Sequence, residues 1–277
     1  MCLGGIEMRF VVASALSVLV YSSLVARAGA EPLQPTSKWA VDYGETTCSG
    51  IRVFGSATNP VALGIVPSIN GETYKLVVNV QRKGPAYAEE ARGTVDLGES
   101  KIRTLLLHFG KRGVDSSNYE FHVPAKDIER EKSAATIGFH SEIGGDFEFA
   151  LSEMPELLEA LHKCTADLQQ YWSFGERTSI PLTKLPKGDL RSLFSSDDYP
   201  SEALFRSQGG TSQYQLLIDE KGAVAGCDLI VQSGVPVIDA MGCQVMMGRA
   251  KFSPAIDKNG KPVRSVVTTP PIVWRTN

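Results

Sequence analysis

The sequence predicts an α+β protein in two parts: a strand-rich N-terminal domain closed by one helix, then a small αββαβ domain. Three observations predict it. Across residues 31–176, short β-leaning runs alternate with turn signals. Near the end of that stretch, apolar residues recur at helical spacing. From Tyr199 onward the signals run short helix, strand, tight turn, strand, helix, loop, strand.

The first domain opens with Ser37 to Gly44 and leads to Cys48. Its strand runs are Ile51 to Phe54, Val61 to Ile65, Tyr74 to Val80, Gly93 to Leu97, Ile102 to Phe109, Tyr119 to Val123, Thr136 to Phe139 and Phe147 to Leu151. Asn70-Gly71, Gly110 with Gly113, and Gly144-Gly145 punctuate them. That rhythm is the rhythm of an antiparallel sandwich or a barrel-like sheet. The helix follows. Ser152 can cap it and Pro155 suits its first turn. Leu157, Leu161, Cys164, Leu168 and Trp172 then fall on one face, turned toward the sheet.

Residues 177–198 read as a semi-flexible linker, with Pro181, Pro186 and Gly188 among several Ser and Thr. In the second domain, residues 199–277, Tyr199-Pro200 starts a helix. Gly209 to Ser212 is a loop, and Tyr214, Leu216 and Ile218 alternate as a half-buried strand does. Asp219 to Gly222 is a turn. Val224, Cys227, Leu229 and Val231 resume a strand, with Cys227, Leu229 and Val231 on its inward face. Ser233-Gly234 breaks it, and Pro236 opens a helix with Ile238, Met241 and Val245 on one side. Lys258-Asn259-Gly260 is a hairpin-type turn, and Val263 to Trp274 is a last, proline-interrupted strand.

This second domain resembles the C-terminal domain of the TonB family over residues of about 195–277. The resemblance rests on Tyr199-Pro200 with Ala203, Ile218-Asp219 with Gly222 and Val224, and Ser233-Gly234. Ile238-Asp239, Phe252-Ser253-Pro254-Ala255, Gly260-Lys261-Pro262-Val263 and Ile272-Val273-Trp274 complete it, in order. It implies a fold that binds protein partners at the cell envelope, in transport linked to energy transduction, and does not catalyse. The partner it implies is an extended segment of an outer-membrane receptor, added to the free edge of the small sheet. Here that edge is Val263, Arg264, Ser265, Val266, Val267, Thr268 and Thr269, with Pro270 and Pro271 removing two donors beyond it. The early Trp39-to-Cys48 and late Cys164-to-Trp172 pattern resembles the N-terminal module of small secreted alphaproteobacterial proteins.

Hydrophobic residues make up 43% and charged residues 21%, enough for ordinary cores in both parts. A net charge of −3 gives no nucleic-acid footprint and no polybasic membrane patch. Arg249, Lys251, Lys258, Lys261 and Arg264 read as a solvated face. Residues 1–30 read as a secretory signal: Arg9 precedes the apolar Phe10 to Val25, and Ala28-Gly29-Ala30 fits cleavage before Glu31. The competing reading is an uncleaved inner-membrane anchor, for which a 16-residue apolar run is short. Localisation is thus expected to be periplasmic, with no membrane span after cleavage. Cys48, Cys164, Cys227 and Cys243 remain, an even number suited to an oxidising compartment. Of the three pairings they allow, the adopted one is Cys48–Cys164 and Cys227–Cys243, one in each domain. Cysteine and histidine spacings fit no zinc site, so no metal or other cofactor is expected.

No nucleophile elbow, metalloprotease helix or phosphate-cradling loop occurs, and the chain is not expected to be an enzyme. His108 reads as a satisfied core or edge residue, His122 as an exposed strand residue, and His162 as solvated on the helix. His140 with Glu142 is a weak acid–base or metal hint. The alternative functions are an envelope enzyme centred near His140 or His122, favoured by a polar cleft with a histidine and carboxylate in hydrogen-bond reach, and a structural envelope protein.

Overall fold

The computed structural model describes residues 31–85, 88–110, 113–174 and 180–276. The signal segment, residues 1–30, lies outside the described residues, as do residues 175–179 at the head of the expected linker. No helix among the described residues is long and apolar enough to cross a membrane.

Nine strands form the N-terminal sheet. They are β1 (Ala40–Tyr43), β2 (Cys48–Ser56), β3 (Asn59–Pro67), β4 (Thr73–Val80), β5 (Glu89–Leu97), β6 (Ser100–Gly110), β7 (Ser117–Pro124), β8 (Thr136–Ser141) and β9 (Phe147–Ala150). Every pair is antiparallel, in the order β1-β2-β3-β4-β7-β6-β5-β8-β9. The two ends of the sheet meet through the segment before β1. Leu33 bridges Phe149 of β9, and Pro35 bridges Phe54 of β2. The Leu33 amide donates to the Glu148 carbonyl at 2.7 Å, and the Gly55 amide donates to the Gln34 carbonyl at 3.0 Å. This short extended piece closes the sheet into a barrel, which satisfies backbone groups that an open edge leaves unpaired.

The alternation read from the sequence sets the barrel's inner face. Tyr74, Leu76 and Val78 of β4 and Tyr119, Phe121 and Val123 of β7 all point inward and are buried. Phe54, Phe121, Phe139 and Phe149 pack at mutual tilts through the centre. Helix α1 (Ala125–Arg130), too short to show in the sequence pattern, follows directly on Pro124 and buries Ile128. Helix α2 (Met154–Tyr171) buries Leu157, Leu161, Cys164 and Leu168, with Trp172 at its end, on the expected face. Ser152 does not cap it. The capping position is Glu153, in the left-handed region at φ 60° and with no side-chain cap. The Ser152 hydroxyl instead accepts from Arg52 Nη1 at 2.9 Å, and its carbonyl accepts from Trp39 Nε1. Cys164 is joined to Cys48, which pins α2 to β2.

The stretch read as a spacer is strapped onto the second domain. Strand β10 (Leu182–Lys184) and the two-residue β11 (Lys187–Gly188) lie within it, before a 3₁₀ turn at Ser196–Asp198. The second domain then runs α3 (Ser201–Phe205), β12 (Gly210–Ile218), β13 (Val224–Val231), α4 (Pro236–Arg249), β14 (Phe252–Ser253), β15 (Ala255–Asp257), β16 (Pro262–Val263), β17 (Ser265–Thr268) and β18 (Ile272–Trp274). Strand β10 pairs with β15, and β11 with β14. The central sheet is β13-β12-β17, and β18 pairs with the start of β12. Gly210 to Ser212, read as loop, are therefore strand. The αββαβ order holds, with the last strand divided.

Strand β12 departs from a half-buried pattern, since Tyr214 to Ile218 are all buried. Its two faces meet different partners. Tyr214, Leu216 and Ile218 pack with Met246 of α4, while Leu217 joins the barrel's core cluster. A register shift between Gln213 and Tyr214 turns Val231 of β13 outward, leaving it 44% exposed. Cys227 of β13 is joined to Cys243 of α4. Residues 32–277 pack as one compact unit. Leu107 and Ala88 of the N-terminal half pack with Ala203, Val237, Ile238 and Trp274 of the second. Arg206 reaches Glu90 at 3.4 Å, and Arg264 lies 4.2 Å over the Tyr171 ring.

Candidate functional site

The expected edge strand occupies an edge in its middle part. Thr269 donates its amide to the Tyr214 carbonyl at 2.9 Å, and its hydroxyl accepts from the Tyr214 amide at 3.1 Å. Leu216 lies opposite Val267, and Ile218 opposite Ser265. Backbone polar groups alternate sides along a strand. Thr269, Val267 and Ser265 thus face β12, while the amides of Val266 and Thr268 face away. Among the described residues no strand pairs with that outer side.

The ends of the expected stretch lie elsewhere. Val263 belongs to β16, opposite Ala255. Arg264 makes the corner, with Nη1 3.1 Å from Glu220 and its guanidinium over Tyr171. Pro270 and Pro271 do not sit within a ladder. They are exposed at the corner between β17 and β18, where a missing amide breaks no pairing. The chain resumes pairing at Ile272, and Val273 projects outward, 53% exposed. Of the expected basic face, Arg249 pairs with Asp198 and Arg264 with Glu220, while Lys251, Lys258 and Lys261 are exposed.

The histidines fall into separate groups. His140 sits 3.5 Å from Asp96 and 3.6 Å from Asp146, so its carboxylate neighbours are these and not Glu142. His162 lies on the exposed side of its helix, as read, and there pairs with Glu129 at 2.8 Å and meets the Tyr74 hydroxyl at 3.2 Å. Burial, with Glu129 alongside, raises the Tyr74 phenol well above its usual range. His108 stacks on Tyr119 and lies between Ser117 Oγ at 2.7 Å and Glu89 Oε2 at 3.0 Å. Serine, histidine and carboxylate in that order form the arrangement of an activated nucleophile. Sequence reading missed it because the three residues come from three strands with no local motif. Ser117, however, is 0% exposed and lines none of the cavities described, so the set cross-links β5, β6 and β7 and offers a substrate no approach. His122 is only half exposed and bonds Glu120 at 2.9 Å. Burial alone would raise Glu120, but the His122 bond and the charge of Lys75 hold it below the ordinary carboxylate range.

No described group of histidines, cysteines and acids could hold a metal ion. The distinctive arrangement is thus a small sheet with an outward-facing ladder, backed by a disulfide-pinned helix.

Residues 196–276 match the family model described as Gram-negative bacterial TonB protein C-terminal. The second domain is a TonB C-terminal domain, a protein-interaction domain without catalysis. No curated protein and no solved structure matches the chain. The barrel that precedes the TonB C-terminal domain carries no family assignment, and the match takes in the 3₁₀ turn at Ser196 but not β10 or β11.

Proposed function

We propose that this chain is a periplasmic envelope protein whose TonB C-terminal domain captures an extended segment of an outer-membrane receptor by strand addition along β17, in the service of transport across the outer membrane. The carrying observation is the outward ladder: the amides of Val266 and Thr268 face away from β12 and no described strand takes them. Peptide backbone satisfies such a row without sequence-specific contacts, and side-chain pockets then add selectivity. The divided edge gives the partner two short pairing segments, one along β17 and one along β18, with the proline corner between them. The connector supports a binder held close to its own barrel, since residues 182–188 are paired onto the domain and do not span as a rod. Export with cleavage before Glu31, and the two disulfides, agree with an oxidising compartment.

The test is a Val266→Pro variant titrated with a peptide from a receptor N-terminus, with the unfolding midpoint followed in parallel. The outward amide is absent from the native ladder, so stability changes by less than about 1 kcal/mol while affinity falls at least about tenfold. Unchanged affinity in a folded variant rules out pairing at β17.

A further inference from the structure

A cavity of about 210 Å³ lies on the junction of the two halves, and nothing in the strand-addition reading uses it. Its apolar wall comes from Val66, Leu105 and Leu107 of the barrel and Leu229 and Pro236 of the TonB domain. The Cys227–Cys243 disulfide closes one side. An apolar cavity of about 150 Å³ is known to accept benzene, so this one has room for a small organic molecule.

Its polar groups divide into those already satisfied and those not. Glu120 is paired with His122 at 2.9 Å. Asp239 is 6% exposed and accepts the Ser233 amide with both oxygens, at 3.0 and 3.2 Å. Ser68 donates to Asn70 Oδ1 at 2.7 Å. Two charges remain. Asp228 on β13 and Lys75 on β4 both line the cavity, and neither has an oppositely charged group within ion-pair distance among the described residues. They come from opposite halves and act on each other only through space. Asp228 takes the Ile69 amide, and burial pushes its carboxyl above the usual range, a cost that a directly bound cation would relieve.

We infer that this junction cavity binds a small zwitterion with an apolar side chain, of the class of a free aliphatic or aromatic amino acid, its ammonium on Asp228 and its carboxylate on Lys75. Lys75 acts on Glu120 and Asp228 only through space, so a single cation would leave it without a direct ion-pair partner, and a single anion would leave Asp228 so. A zwitterion answers both, and its side chain covers the Leu105–Leu107–Leu229 wall. The occupant would also bridge barrel and TonB domain, because its two charged ends contact different halves.

The experiment titrates the whole chain by calorimetry with L-leucine, L-leucinamide and N-acetyl-L-leucine at neutral pH. Leucine is expected to bind, and each analogue, lacking one charge, to bind at least about tenfold more weakly. Asp228→Asn and Lys75→Met are expected to weaken leucine similarly. Because the analogues are tested on the unmodified chain, the result stands even where a variant folds poorly. No leucine binding up to millimolar concentration, or analogue affinities equal to that of leucine, overturns the inference.

Discussion

The barrel and the TonB domain solve one problem, docking a helix on a sheet, in mirrored ways. In the barrel the strand yields: Gly50 of β2 lets the Leu157 side chain of α2 approach where any β-carbon would collide with it, and Cys48–Cys164 fastens the contact. In the TonB domain the helix yields. Gly242 of α4 leaves room for the Tyr214 ring of β12, whose hydroxyl donates to the Asp239 carbonyl at 3.1 Å, and Cys227–Cys243 fastens that contact. The barrel closes its ladder on itself, whereas the TonB domain keeps one side of its sheet open among the described residues. The difference teaches that the first half pairs its own sheet edges, while the second leaves one edge open even as it shares its core with the first.

The sharpest way to break this comparison is to remove the two fasteners separately. Cys48 and Cys164 are 116 residues apart, Cys227 and Cys243 only 16. Loop-closure entropy then predicts a loss of about 4–5 kcal/mol for Cys48→Ser with Cys164→Ser, against about 3 kcal/mol for the other pair, read from urea midpoints. Equal losses would mean that the two halves unfold as one unit whose stability is indifferent to loop length.

A smaller effect comes from Asp239, whose carboxyl burial pushes up to about 6 from 3.8. A folded pKa above the unfolded one means the folded chain holds the extra proton between these values. This group therefore favours folding most below about pH 4, and the contribution is lost as pH rises through 6, amounting to about 2–3 kcal/mol. Asn keeps an acceptor for Ser233, so Asp239→Asn is expected to flatten that slope in unfolding measured from pH 4 to 7.5. A slope unaltered by the substitution would move the pH sensitivity to another group.

The mirrored glycines give the finest comparison. Gly242→Ala forces a methyl onto a rigid, hydrogen-bonded ring and is expected to cost about 2–3 kcal/mol, whereas Gly50→Ala meets a leucine methyl that can turn aside, at about 1 kcal/mol. Melting temperatures of the two variants check the order.

What was legible follows from what is periodic. Alternation in Tyr74 to Val80 and Tyr119 to Val123 named an inner face, and the spacing from Leu157 to Trp172 named a helix face. Those faces put Cys164 before a sheet and Cys227 before a helix. Short ladders have no period, so β10, β11 and the closing piece at Leu33 to Pro35 looked like linker and lead-in. The edge strand showed in sequence as one run because the corners at Arg264 and Pro270 leave its hydrophobicity unbroken. Both-sided burial of β12 depended on the other half of the chain. The junction cavity was illegible for the same reason: Lys75 and Asp228 lie on strands far apart in the chain, and only packing brings them to one space.

The closing piece also sets a clock. Leu33 leaves the ribosome early, yet its partner Phe149 follows 116 residues later, and Pro35 must meanwhile find β2. Until β9 exists, both rims of the growing sheet are open templates for another chain. A chain held extended until residue 150 has been made would keep those rims from pairing with a neighbour.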